Sequence, residues 1–362
     1  MPKYLDDVDT PALILDLDRM ERNVARMAAF ARECGVALRP HVKTHKSPEI
    51  AKVQLAAGSA GVCLQKVSEV EVFAAAGIDD IFLTNEVVVP QKLERLARVA
   101  EKTHVGLAAD DAGVVGAIGK AARDVGSELD VYVDIDAGMG RCGVRPEGAA
   151  GVALEISRQD GLVFRGMMGY EGHVGGGKTR EEQARLSAEA MERMVTAKAG
   201  IEKAGLRVDV VSVGSSVSTQ FNAKHTVVTE VQPGMYVFND MGLVNRGVAT
   251  MQDCALTVVS TVMSKPAPDR AVVDAGSKAF NFDMGLFPTP LDREGVVMDH
   301  FSEEHGWLKL SGPGTGVKIG DRIRFVPVHC CTAVNQHEEF VAIRGGGRVD
   351  RTIPVLARGK ML

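Results

Sequence analysis

The chain has 362 residues, 45% of them hydrophobic, enough for two domains or for one barrel with an addition. A net charge of −5 leaves no basic field for nucleic acid and no polybasic patch for a membrane surface. The N-terminal MPKYLDDVDTPALILD has acids where a signal peptide needs bases, no window reaches the roughly 18 apolar residues of a membrane span, and the cysteines are scattered like reduced thiols, so a cytoplasmic protein is expected.

In chain order, TPALILDLD (10–18) is strand-like. In the following DRMERNVARMAAFAREC, Met20, Val24, Met27 and Ala31 share one helical face, with Asp18 as the expected cap. Short apolar, β-branched segments then recur: 36–42, 61–65, 80–85, 104–110, 129–136, 162–170, 208–214 and 229–240. Helical patterns lie between most of them. PQKLERLARVAEK begins with Pro90 in its first turn, and the long TREEQARLSAEAMERMVTAKAGIEKAG closes at Gly205. Eight strands alternating with helices predict a TIM-type (β/α)8 barrel over 18–248. After residue 250 helical periodicity gives way to strand-like runs separated by turns. These predict a smaller β domain made of 249–362 and 1–17, with 10–18 crossing over to pair in it.

The segment RPHVKTHK (39–46) crowds basic side chains just past the first barrel strand, at the rim where barrels of this kind do chemistry. A partly desolvated lysine near other cations has a lowered pKa and attacks carbonyls, and Arg39 and His41 are placed to do this to Lys43. Gly214 and Ser215 end the seventh strand, and Gly234 and Tyr236 lie on the eighth, the two places where a barrel of this kind binds phosphate. In VHCCTAV, a continuing strand would point His329 and Cys331 to one face and Cys330 to the other. An imidazole and a thiolate on one face suit zinc, although two buried strand residues give the same pattern.

The series T-P-x-L-x-x-D-L-D, RPHVKTHK, CLQKVSEVEVFAAAGI (63–78), TNEVV (84–88), GRCGV (140–144), GYEGH (169–173), PGMYVF (233–238) and VMSKPAPDRAVVDAG (262–276) resembles the fold-type III pyridoxal-phosphate enzymes of the D-threonine aldolase and D-serine dehydratase group. That group shares a barrel plus β domain with alanine racemase. The resemblance implies that Lys43 carries pyridoxal 5'-phosphate as a Schiff base. It places Arg141 near the cofactor ring, where a cation holds a ring oxygen or a substrate carboxylate. Tyr170 and His173 become candidates for ring stacking and proton transfer, and a structural role for His173 stays open. His329 and Cys331 become ligands of a divalent metal, Zn2+ or Mn2+, near the β-hydroxyl of a small-molecule substrate. The expected activity is retro-aldol cleavage of β-hydroxy D-amino acids. Dehydration to a keto acid is the alternative, ahead of racemization or a non-catalytic cofactor carrier. A homodimer is expected, with 277–307, including Glu304-His305-Gly306, as the contributor to the partner's site.

Overall fold

The computed structural model describes residues 3–362. The chain enters with β1 (Ala12–Asp16) and α1 (Leu17–Cys34). Asp16, not Asp18, caps that helix: its Oδ1 accepts the Arg19 amide at 3.0 Å, while Asp18 binds Arg344 at 2.9 Å. Met20, Val24 and Ala31 are buried and Met27 is half-buried.

Strands and helices then alternate: β2 (Ala37–Leu38), α2 (Pro48–Ala56), β3 (Val62–Leu64), α3 (Val67–Ala75), β4 (Asp80–Glu86), α4 (Pro90–Ala100), β5 (His104–Ala109), α5 (Ala112–Val125), β6 (Leu129–Ile135), α6 (Ala149–Arg158), β7 (Leu162–Gly169), α7 (Arg180–Lys203), β8 (Val210–Val213), α8 (Thr219–Asn222) and β9 (Glu230–Val231). The eight strands β2 to β9 form one parallel sheet in the order β2-β9-β8-β7-β6-β5-β4-β3. An isolated parallel bridge between His41 and Cys63 joins its two ends into a ring. Cys63, Phe82, Ala108, Tyr132 and Met168, one from each of five neighbouring strands, fill the inside. This is the (β/α)8 barrel. The eighth strand is shorter than the pattern 229–240 predicts, because Pro233 has no N–H for a ladder and the chain coils into a 3-10 turn at Met235–Val237.

Arg39 shows why the barrel needs glycine at 61. Its guanidinium reaches Glu230 Oε2 at 2.8 Å and Asp80 Oδ1 at 2.5 Å, the first residues of β9 and β4. A Cβ on Gly61 would stand 2.1 Å from Arg39 Nη1. Arg39→Ala strands the buried Glu230 carboxylate, at an expected cost of about 3–5 kcal/mol. Urea unfolding reads this directly, and an unchanged midpoint contradicts it.

The remaining elements are α9 (Met241–Asn245), β10 (Leu256–Ala267), β11 (Arg270–Val273), α10 (Ser277–Phe280), β12 (Thr289–Pro290), β13 (Val296–Phe301), β14 (Gly306–Leu310), β15 (Arg322–Val326), α11 (Cys330–Val334), β16 (Glu339–Arg344) and β17 (Arg348–Pro354). A nine-stranded, mostly antiparallel sheet unites β1 with β10 to β17. β1 pairs antiparallel with β10 and parallel with β16. Val8, Ile14, Val259, Val341 and Ile343 form a core against it. The chain makes two compact units: residues up to Ala25 with Thr44–Glu49 and Met235–Gly359, and Arg26–Lys43 with Ile50–Gly234 and Lys360–Leu362. No helix is long and apolar enough to cross a membrane among the described residues.

Candidate functional site

Lys43 lies in a 3-10 turn, Val42–Thr44, beyond β2. Its Nζ donates to Gln65 Oε1 at 3.3 Å. Gln65 is held by two further bonds: its backbone N–H to Glu69 at 3.0 Å and its Nε2 to the Thr84 carbonyl at 3.1 Å. His41 Nε2 lies 3.1 Å from Gln65 Oε1 and 3.0 Å from Thr84 Oγ1. The Thr84 hydroxyl also lies 3.2 Å from the Leu64 carbonyl. His41 Nδ1 is buried with no hydrogen-bond partner in the described residues.

Burial, and then the charge of Lys43, hold His41 well below the ordinary imidazole pKa. This corrects the expected tuning of Lys43. His41 is neutral, and Arg39 is matched by Glu230 and Asp80, so neither supplies a positive charge beside the amine.

The Lys43 amine is also 5.8 Å from the centroid of the Tyr170 ring, and Arg141 Cζ is 5.0 Å from it. The structure therefore brings Lys43, Arg141 and Tyr170 together. Arg141 rides on a glycine-rich loop after β6. Asp136 Oδ1 accepts the amides of Gly138 at 2.9 Å and Gly140 at 3.0 Å, and Asp110 accepts that of Gly143 at 3.0 Å. Beneath the loop, burial and then Glu86 push the Asp134 carboxyl well above its usual range.

His173 lies in the 3-10 turn Gly172–Gly176 after β7. Burial, then Arg193, lower its pKa, and its buried Nδ1 has no hydrogen-bond partner among the described residues. The ring faces Gly138, where a Cβ would stand 3.3 Å from Nε2.

Gly214 takes φ +109°, and Ser215 opens a tight turn in which its amide donates to Ser218 Oγ at 2.8 Å. The Gly214 amide donates to the buried carboxylate of Glu171 at 3.3 Å. Pro233, beside Gly234, accepts the His41 amide at 3.1 Å. Tyr236 is buried within the 3-10 turn that replaces the strand.

In the other unit, β15 ends at Val326 and the chain does not continue as a strand. His329 is instead the N-cap of α11 and Cys331 lies in its first turn. The two still meet, through a side-chain hydrogen bond. His329 Nδ1 pairs with Asp283 Oδ2 at 2.6 Å, and Cys331 Sγ is 3.4 Å from the Thr44 hydroxyl. A hydrogen bond from Cys330, and then His329, hold the Cys331 thiol well below its usual range against burial. Cys331 and Asp283 raise the His329 pKa although burial opposes them. Cys330 does not turn away as the strand reading expects. Its amide donates to Asp240 at 2.9 Å and its thiol is hydrogen-bonded to the Cys331 side chain.

Comparison with known proteins places this geometry. Residues 15–241 match the family described as alanine racemase, N-terminal domain, and residues 255–343 match the putative serine dehydratase domain. A D-threonine aldolase from Arthrobacter sp is 38% identical over 94% of this chain and 90% of its own. The chain belongs to the alanine racemase-like family.

The crystal structure of D-threonine aldolase from Filomicrobium marinum superposes with a TM-score of 0.96 at 38% identity, covering 99% of this chain and 98% of that one. A D-threo-3-hydroxyaspartate dehydratase, solved as a cysteine-to-alanine mutant in the metal-free form, superposes with a TM-score of 0.90 at 30% identity, covering 98% and 99%. Within the alanine racemase-like family the chain stands with the D-threonine aldolase and D-serine dehydratase group, as a pyridoxal-phosphate-dependent lyase.

The residues fit that cofactor. A rim lysine with a flanking aromatic ring, a nearby guanidinium and a glycine turn at positive φ is the donor set a phosphorylated aldehyde needs. His329 and Cys331 fit a divalent metal by their chemistry, one imidazole and one thiolate, with Asp283 orienting the imidazole from behind. No group of three or more His, Cys, Asp and Glu side chains forms a cage among the described residues. Gln65, Thr84, Glu171 and Asp283 are the neighbours that sequence reasoning missed. Gln65 and Glu171 stand inside the motifs CLQKVSE and GYEGH. Asp283 reaches His329 across 46 positions and leaves no local signal.

Proposed function

We propose that the chain cleaves β-hydroxy D-amino acids by a metal-assisted retro-aldol reaction, releasing glycine and an aldehyde. The observation that carries this is the His173 imidazole on the turn after β7, three residues from Tyr170, with burial lowering its pKa. Retro-aldol cleavage needs a base for the β-hydroxyl proton, and dehydration needs an acid at the same oxygen. A lowered pKa favours the neutral imidazole, the form that can accept that proton.

In this reading Lys43 would hold the cofactor through its Nζ. Arg141 would hold a ring oxygen or the substrate carboxylate, and Tyr170 would offer its ring for stacking. Gly214, Ser215, Gly234 and Tyr236 shape the seat for the phosphate. His173 would take the hydroxyl proton. When bound, pyridoxal phosphate supplies an electron sink for the pair left at the α-carbon. His329 and Cys331 would hold the divalent metal, Zn2+ or Mn2+, whose Lewis acidity favours charge on the β-oxygen.

The dehydratase reading has one observation in its favour: a cysteine substitution accompanies the metal-free form of the dehydratase, and this chain has Cys331 beside His329. Product analysis with D-threonine separates the two. Glycine and acetaldehyde are expected, and His173→Asn should slow their release by about 10²–10⁴-fold. Stoichiometric 2-oxobutanoate and ammonia overturn the retro-aldol assignment. Homodimerization, with 277–307 reaching the partner's site, and a cytoplasmic location belong to the same proposal.

A further inference from the structure

Glu171 has no role in the chemistry above, yet it is fully buried next to Tyr170. Its carboxyl group is a hub. Oε1 accepts from the Ser218 hydroxyl and, at 2.8 Å, from Asn222 Nδ2, while Oε2 accepts the Gly214 amide at 3.3 Å. The Asn222 Oδ1 is in turn held by the Ser187 hydroxyl of α7. Ser218 passes the constraint on: its hydroxyl accepts the Ser215 amide and lies 2.9 Å from Ser215 Oγ. Ser215 Oγ accepts the amides of Val217 at 3.3 Å and Ser218 at 3.2 Å. The turn 214–218 thus hangs from one buried carboxyl group.

We propose that Glu171 is a positioning residue for the cofactor's phosphate: it sets the shape of the 214–218 turn that receives it. The inference rests on the proposed cofactor seat. A buried carboxyl under an anion site must not repel the anion. Burial raises the Glu171 pKa, opposed by the Ser218 bond and the neighbouring amides, so the group is shifted toward the neutral form.

The test uses the apo protein and two probes, pyridoxal 5'-phosphate and pyridoxal, titrated by absorbance. Glu171→Ala and the milder Ser218→Ala are compared with wild type. Loss of hydrogen bonds to a charged or anion-binding group predicts about a 10- to 100-fold weaker affinity for the phosphate ester in Glu171→Ala. Ser218→Ala shows a smaller loss, and pyridoxal binds all three proteins alike. Equal losses for both probes make Glu171 a general folding residue and overturn the proposal, as does no loss for either. If Glu171→Ala does not fold, Ser218→Ala decides by the same ratio. Failure of wild type to bind the phosphate ester would instead sink the cofactor assignment itself.

Discussion

Lys43→Ala is expected to lose the colour of the holoenzyme and to slow turnover by roughly 10³-fold or more, because in the proposed mechanism it removes both the covalent tether and an amine for proton transfer. The two lysines of RPHVKTHK at 43 and 46 point to different partners. Lys43 Nζ faces Gln65 Oε1 and the Tyr170 ring, whereas Lys46 directs its amine to the Ala357 carbonyl at 3.5 Å. The fold should survive the change, since Lys43 is the partly exposed end of its network and the His41–Gln65–Thr84 bonds remain. Far-UV circular dichroism and the absorbance spectrum together check it. A colourless variant with undiminished turnover contradicts the assignment.

On the proposed metal reading, the second large effect comes from chelation. Chelation of the holoenzyme should keep the cofactor's colour and lower turnover by about 100-fold or more, the scale of a lost Lewis acid. Added Zn2+ or Mn2+ restores wild type but not His329→Ala or Cys331→Ala. Asp283→Asn should weaken metal affinity about 10- to 100-fold while leaving both candidate ligands in place, because Asp283 fixes the imidazole through Nδ1. Undiminished turnover in the presence of chelator, with metal content measured as nil, contradicts the metal reading.

The barrel was legible because its strands are short apolar runs set off by helices with start or stop signals, such as Pro90 opening α4 and Gly205 after α7. Legibility fails where a distant partner decides. Nothing local tells that Cys330 opens a helix: the Asp240 carboxylate that accepts its amide is 90 positions away. Pro327 also interrupts the run that reads as a strand. Arg39 looks like part of a basic cluster in one dimension. In three it points to Glu230, 191 positions on, and belongs to the barrel's interior. The choice of Asp16 over Asp18 as helix cap is a shift of two positions between equal side chains, settled by Arg344 claiming Asp18. Lys43, Arg141 and Tyr170 converge because barrel strands deliver their following loops to one rim, and strand order alone announces that. Their orientation by Gln65 is tertiary.

Borohydride reduction of the coloured holoenzyme, followed by peptide mapping, addresses the covalent attachment directly. The account predicts that the modified peptide contains Lys43 and that reduction abolishes turnover in proportion to labelling. Label on Lys46 or on any other lysine, with Lys43 unmodified, would contradict it.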